Sequence, residues 1–402
     1  MELENKKAGP ARQNLWSRSF ILLFLISFIT NLGLNMSNSL ISVYAAHLGG
    51  TATQSGLVFS SFAVTALVFR LLLAPVIDTY NRKTILFIFV VVTVVAFWGY
   101  SFSSDITTLA IFRMVQGCGS AGLACTIVMV ADILPHDSYG AGIGYFSLAM
   151  VISNAIGPAT GIWLMDTVGF RPTFAIFAAF VSISLILVSR LKISYKRTKK
   201  LSFKLNNLLA KEVFIPSLML YLCNAGYHFM SSYLVLYGKW LGFSSGISIY
   251  YVVTALVALV VRPLLGHLSD RHGLIPVVVP AIGFHVAGCL TLSFATSLWH
   301  ILLAAVLNAV GSAACQPAFQ AISMKKVASE RRGAASSMNM MAIDFSALTA
   351  PSIGGIIVDS LGYRALFRYQ IIPYALIGVV ILFGRSWIRR TEADFASAHA
   401  GA

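Results

Sequence analysis

The chain has 402 residues, 57% of them hydrophobic and 11% charged, with a net charge of +15 at pH 7. A soluble domain carries about 25% charged residues, and a bilayer span takes about 20 apolar ones, so this composition provides for about eleven or twelve spans. That excludes a soluble enzyme on a single anchor. The long, continuous apolar runs also exclude a porin-type barrel, whose strands would alternate over about 10 residues.

In chain order, hydropathy predicts membrane helices near 19–46, 53–77, 84–102, 106–131, 140–165 and 171–190. After a polar, lysine-rich stretch they resume near 213–237, 245–268, 274–294, 298–323, 333–358 and 364–387. The expected class is therefore an all-α integral membrane protein with twelve spans. Its expected divisions are 1–190, a six-helix bundle; 191–212, a linker with an interfacial character; and 213–402, a second six-helix bundle. The run from Phe20 to about Ala46 is too long for the apolar core of a cleavable signal, so it reads as the first span.

The basic balance is topological and does not point to nucleic acid. Of the 29 Lys and Arg, 22 fall at the two ends, in the central linker and in the loops on the same side, and four lie near the alternate loops. This is the positive-inside pattern, which predicts both termini in the cytoplasm and a home in the cytoplasmic (inner) membrane. Cys118, Cys125, Cys223, Cys289 and Cys315 all sit in apolar runs without zinc-ligand spacing. The sequence predicts no metal and no cofactor. It has no phosphate-binding glycine loop, metalloprotease helix or nucleophile elbow, so no ATP-driven engine and no catalytic constellation is expected.

The two halves repeat at an offset of 192 or 193. Asn31 matches Asn224, Tyr44 matches Tyr237, and Arg70 with Asp78 matches Arg262 with Asp270. Further on, Pro158, Gly161, Asp166, Gly169 and Arg171 match Pro351, Gly354, Asp359, Gly362 and Arg364. Six spans is an even number, so these are parallel repeats about an axis along the membrane normal, and the substrate site of such a transporter lies near the midplane between them.

Between spans 2 and 3 stand Arg70, Pro75, Asp78, Arg82 and Lys83. Between spans 8 and 9 stand Arg262, Pro263, Gly266, Asp270, Arg271 and Gly273. These loops resemble the major facilitator superfamily signature R-P-x-x-G-x-x-x-D-R-x-G-R-R. The second copy fits closely, whereas the first has Ala74 and Asn81 where the pattern has Gly. The resemblance covers nearly the whole chain and implies the major facilitator fold. It also implies that Arg70, Asp78, Arg82, Arg262, Asp270 and Arg271 form a gate latch, with Asp78 meeting the start of span 11 and Asp270 that of span 5. An Asp facing a helix N-terminus contributes about 0.3–2 kcal/mol. The bland reading is that these charges only fix topology.

Span 4 carries Arg113, Gln116, Gly117 and Gly119, resembling the family's R-x-x-Q-G-x-G motif. A guanidinium inside a span must face water, a carboxylate or a bound anion. Its repeat counterpart is Ala305, so the charge is asymmetric, which favours substrate or proton coupling over a buried structural pair. Span 5 carries Gly144, Ser153, Gly157, Pro158, Gly161 and Ile162, resembling the antiporter motif G-x8-G-x3-G-P-x-x-G-G with two departures, Ser153 and Ile162. Gly157, Pro158 and Gly161 are expected to serve close helix packing. The motif points to the drug and metabolite exporters.

Asp344 is the only carboxylate deep in a span, roughly 16 Å in at 1.5 Å per residue. It is a candidate for proton coupling or cation recognition, against a structural hydrogen bond. Asn31, Asn35 and Asn38 share one face of span 1; Tyr221, Asn224 and His228 one face of span 7; Asn308 and Gln316 one face of span 10. The resemblance implies that spans 1, 4, 7 and 10 line the central cavity, although any one Asn could instead be satisfied between helices. His285, on span 9, reads as structural. Where family exporters often carry an acid on span 1, this chain has asparagines.

The expected function is export of a small organic molecule, drug-like or metabolite, in exchange for protons, by a monomer in the bilayer. The same fold could carry a proton-coupled importer or a facilitator. A sensor or lipid-modifying enzyme on the fold is the distant alternative.

Overall fold

In hydrocarbon every backbone N–H and C=O must be satisfied within the segment, so apolar runs of this length have helix as their only open solution. A computed structural model describes residues 16–134, 139–192, 210–243, 246–328 and 331–400. Twelve helices in it are long and apolar enough to cross a membrane, one for each predicted span. In order, the first six spans are α1 (Arg18–His47), α2 (Ala52–Thr79), α3 (Arg82–Phe102), α4 with α5 (Ile106–Gly122 and Ala124–Ile133), α6 (Tyr139–Val168) and α7 (Phe170–Arg190). The second six are α8 (Phe214–Trp240), α9 (Ile247–His272), α10 (Ile275–Ser293), α11 (Leu298–Lys326), α12 (Arg332–Leu361) and α13 with α14 (Tyr363–Tyr369 and Ile371–Ala400). The linker's expected interfacial character falls on residues 193–209, outside those described.

Hydropathy does not show that spans 4 and 12 are each broken. At Leu123 the N–H bonds back three residues to Ser120. The break follows the run Gly117, Gly119, Gly122, where missing side chains weaken the helix. Helix starts are capped as the sequence allows. Thr51 and Gln54 form a reciprocal capping box on α2. Asp105 caps α4, and the Thr108 hydroxyl and N–H that donate to its carboxylate hold its pKa below the usual value.

The sequence repeat becomes a structural one. Gly169 between α6 and α7 and Gly362 between α12 and α13 both adopt φ +82°, a left-handed conformation that an L side chain strains, so one glycine each suffices to reverse the chain. Tyr44 donates to Ser103 O at 2.7 Å and its counterpart Tyr237 to Leu292 O at 2.7 Å. The two tyrosine rings lie 4.8 Å from Phe170 and Phe367 respectively. Each tyrosine ties the end of its bundle's first span to the end of the third, with the phenol satisfied and the ring buried.

Within the first bundle α1 packs on α6, α2 on α4 and α3 on α7. The bundles meet along α2 against α12 and α6 against α9, which are the same interface related by the pseudo-twofold, with α1 against α8 between them. α1 begins and α14 ends on one face of this arrangement, the termini face; α2, α4, α9 and α11 begin on the opposite face.

Candidate functional site

Arg113 projects from the middle of span 4 and is 1% exposed. Its Nη1 donates to Gln116 Oε1 at 2.5 Å and its Nη2 to Asn38 Oδ1 at 2.7 Å. The guanidinium carbon lies 4.7 Å from the centre of the Phe62 ring and 5.2 Å from that of Phe59. Gln116 also accepts from the Tyr100 hydroxyl at 2.6 Å and donates to Ser37 Oγ at 2.9 Å. The charge is thus held by neutral acceptors and two ring faces. Of the three partners expected, water, carboxylate or anion, no carboxylate among the described residues is bonded to it. The i, i+3 spacing of Arg113 and Gln116 explains why the motif needs both, since one turn of helix brings the amide under the guanidinium.

Asp344 is met by Arg70, 274 residues away on α2. Arg70 Nε lies 3.0 Å from Asp344 Oδ2 and its Nη2 donates to Oδ1 at 3.3 Å. The directional bond is the longer one; the Nε–H does not point along its short contact, so the pair is held side-on. This ion pair bridges the two bundles inside the membrane. It gives Arg70, which the signature loop assigned to the gate on the termini face, a partner on the opposite bundle.

The polar stripes divide. Asn38 reaches Arg113, whereas Asn31, Asn35 and Asn224 donate to carbonyls four residues back on their own helices, Ser27, Asn31 and Leu220. Asn308 turns into the second bundle, 3.2 Å from His285 Nδ1, so its place is between α10 and α11 and not on a central cavity. His285 stacks on Tyr374 with centroids 4.2 Å apart, as a structural histidine should. Tyr221 shares a 3.0 Å hydrogen bond with Thr349 across α8 and α12. Gln316 is half-buried on α11. His228 sits at the seam, its ring 6.1 Å from Phe59 of the other bundle, with both ring nitrogens buried and without a partner.

Of the gate residues, the side chains of Asp78 and Asp270 lie outside the described residues. Arg82 pairs with Asp132 at the end of α5 and donates from Nε to Ile77 O at 3.2 Å. Arg262 and Arg271 are both exposed on α9, Arg271 in its last turn and Arg262 well inside the helix. On span 5, a side chain at Gly157 would come 2.8 Å from Asn35 Cβ and one at Gly161 would come 3.0 Å from Met36 O, so both glycines let α6 close onto α1 through Pro158.

At the opposite face the bundles are fastened. The Asp359 carboxylate accepts from the Ala52 N–H at 3.0 Å and the Thr53 N–H at 2.8 Å, capping α2 from the end of α12. The Tyr233 hydroxyl lies 2.6 Å from Pro351 O and 3.1 Å from Ala52 O, and Ser352 donates to Ser60 at 3.0 Å. Gly56 and Gly355 allow the approach: a Cβ on Gly56 would stand 2.2 Å from Pro351 O. Toward the termini face a cavity of ≈ 240 Å³ opens between α11 and α12, lined by Gln320, Met324, Ser336, Asn339 and Met340.

The family model of the Major Facilitator Superfamily matches residues 23–296 and 246–400. The chain belongs to this superfamily. It is accordingly an integral, multi-pass membrane transporter of a small-molecule substrate and not an enzyme. The chain is 24% identical over 384 residues to an MFS-type transporter, MJ1560, of Methanocaldococcus jannaschii, covering 90% of this chain and 97% of that one. It is 25% identical over 375 residues to multidrug resistance protein MdtG of Salmonella typhi, covering 88% and 91%. Among solved structures, nucleoside transporter NupG superposes with a TM-score of 0.78 at 13% identity, covering 92% of this chain and 99% of that one. An inward-facing bacterial homologue of the human lysosomal transporter Spinster gives 0.74 at 15% identity, covering 95% and 99%. At these identities the structures show the shared facilitator fold.

Sequence reasoning missed Phe59, Phe62, Tyr100 and Ser37 around Arg113, Arg70 as the partner of Asp344, and Asp359 as a fastening of the two bundles. Only Asp359 left a signal, its match to Asp166 in the repeat.

Proposed function

We propose that the protein exports a small organic molecule, drug-like or metabolite, in exchange for protons, with residues 1–190 and 213–402 rocking as two bodies joined by 191–212. The observation that carries this reading is the Arg70–Asp344 pair, an ion pair between the moving bodies inside the membrane. A carboxylate that pairs in one arrangement and is released in another takes and gives up a proton in step with the rocking. Arg113 with Gln116 and Asn38 is the second charged element, a substrate or coupling contact. Asn31, Asn35, Tyr221, Asn224, His228, Asn308 and Gln316 are retained as its polar surroundings, Asn308 acting from one layer behind. The similarity to MdtG and the glycine pattern of span 5 support export. In the membrane the termini face is the cytoplasmic side of the inner membrane, where the basic residues concentrate. The signature residues Arg70, Asp78, Arg82, Arg262, Asp270 and Arg271 latch that side when it closes, and the unit of function is the monomer.

Purified protein in sealed vesicles, with a pH gradient imposed in either sense, tests the reading. Proton antiport drives solute against the proton flow, and Asp344→Asn abolishes the pH dependence. Movement of solute with the proton flow, or uptake indifferent to the gradient, would establish instead the importer or the facilitator.

A further inference from the structure

The embedded part of the protein holds more positive charge than its own acids neutralise. Of the 14 Asp and Glu, every one except Asp344 lies in a terminal segment, a loop or the last turn or two of a span, or in the polar end of α14. Asp344 is already held by Arg70. Arg113 therefore meets no carboxylate among the described residues, and placing a guanidinium at the centre of a bilayer is costly even with neutral acceptors around it.

Its surroundings also leave hydrogen-bonding capacity unused. The two Nη groups are engaged by Gln116 and Asn38, but Nε is buried without a partner. On the same Phe59 ring rests His228, from the other bundle, with both ring nitrogens buried and without partners. A histidine always has at least one N–H to donate. Unpartnered donors from the two bundles thus gather around one aromatic ring at the seam, with no protein anion among the described residues to receive them. A substrate with a positive group would meet repulsion here, and a neutral one would leave the Arg113 charge uncompensated.

We propose that the transported substrate carries an anionic oxygen group, a carboxylate, sulfonate or phosphonate. As the bundles part between α2 and α8, that group enters beside Phe59. It accepts from the Arg113 guanidinium, in the geometry that a planar fork of N–H groups offers two oxygens, and from a ring N–H of His228. Phe59 and Phe62 flank its organic body. This assignment rests on the transport reading above and adds the sign of the substrate's charge.

The test uses the full chain in lipid nanodiscs and matched probes on three scaffolds: naphthoate, naphthamide and naphthylmethylamine; indole acetate, indole acetamide and tryptamine; gluconate, glucose and glucosamine. Thermal stabilisation by anions over their neutral and cationic partners is expected on at least one scaffold. Arg113→Gln weakens that anion by roughly tenfold or more, the loss of one charge-assisted contact, while Arg113→Lys keeps the preference for anions. His228→Gln, on the other bundle and outside the Gln116 network, weakens it as well, so the result does not depend on the folding of a single variant. Preference for a cation or a neutral probe, equal anion binding by wild type and Arg113→Gln, or no anion-dependent shift on any scaffold overturns the assignment. Cysteine labelling of Ser60→Cys and Gln320→Cys, measured on the same samples, reports separately whether the bundles alternate. A protein that alternates but prefers cations loses only this inference, and one that does not alternate loses the transport reading.

Discussion

Arg70 and Asp344 show what burial does to a pair of charges. Removing one partner of a fully buried pair leaves the other uncompensated at about 3–5 kcal/mol, whereas removing both is far milder; with the Arg70 side chain 32% exposed, the cost here is a part of that. Asp344→Asn and Arg70→Gln should each lower the melting temperature in detergent, and the double variant should recover most of the loss while remaining without pH-dependent transport. A double variant as unstable as the sum of the singles would mean that the two residues do not act as a pair. Gln116 is a second test at this scale, because its side chain serves Arg113, Tyr100 and Ser37 at once. Gln116→Leu leaves the Tyr100 hydroxyl and the Arg113 Nη1 without their acceptor, while Ser37 keeps Leu34 O and Arg113 keeps Asn38; at about 1–3 kcal/mol for each buried group left unsatisfied, its melting temperature should fall well below that of Gln320→Leu at the half-buried cavity wall. His285 marks the contrast with His228. Stacked on Tyr374 inside one bundle and bonded to Asn308, it should tolerate Gln, which keeps a donor for Asn308, with transport retained.

At the scale of elements, α2 against α12 fastens the opposite face. The contact depends on glycine, since side chains at Gly56 or Gly355 would run into backbone: Pro351 O for the first, Thr53 Cα and Ala52 O for the second. Gly56→Leu should therefore force the helices apart and raise labelling of Ser60→Cys by a membrane-impermeant thiol reagent added to the opposite face. Asp359→Ala removes a cap contributing about 1 kcal/mol, less after solvent screening, and should shift labelling the same way by a smaller amount. Four of the five native cysteines are buried and Cys118 is partly so, which keeps the background low. Unchanged labelling in both variants would show that the fastening at Asp359 and Gly56 does not hold this face closed.

For the whole molecule, the helices and their order were legible in the sequence, because a bilayer leaves an apolar segment no alternative to helix and because duplication writes the same signals twice. Gly169 and Gly362, Tyr44 and Tyr237 do the same work in each bundle, as the offset of 192 or 193 implied. The breaks at Leu123 and Gln370 were not legible, since hydropathy is blind to a helix that changes direction while staying apolar. The candidate site was legible in part. Arg113, Gln116 and Asp344 stand out because polar groups in apolar helices are costly and therefore conspicuous. Their partners do not: Phe59 and Phe62 look like any lipid-facing aromatics, and Arg70 looks like part of a loop signature.

By itself the sequence determined that this protein is a twelve-span duplicated bundle with a few charges where charges are expensive. Only the tertiary structure decided which groups those charges meet. Asn31, Asn35 and Asn224 turned out to satisfy their own helices, Asn308 a histidine one layer back, and Arg70 the acid of the opposite bundle. The reason is physical: spacing along a helix fixes the face on which a residue lies, but the partner across an interface depends on how two separately encoded surfaces come to rest against each other, and a separation of 274 residues leaves no local trace.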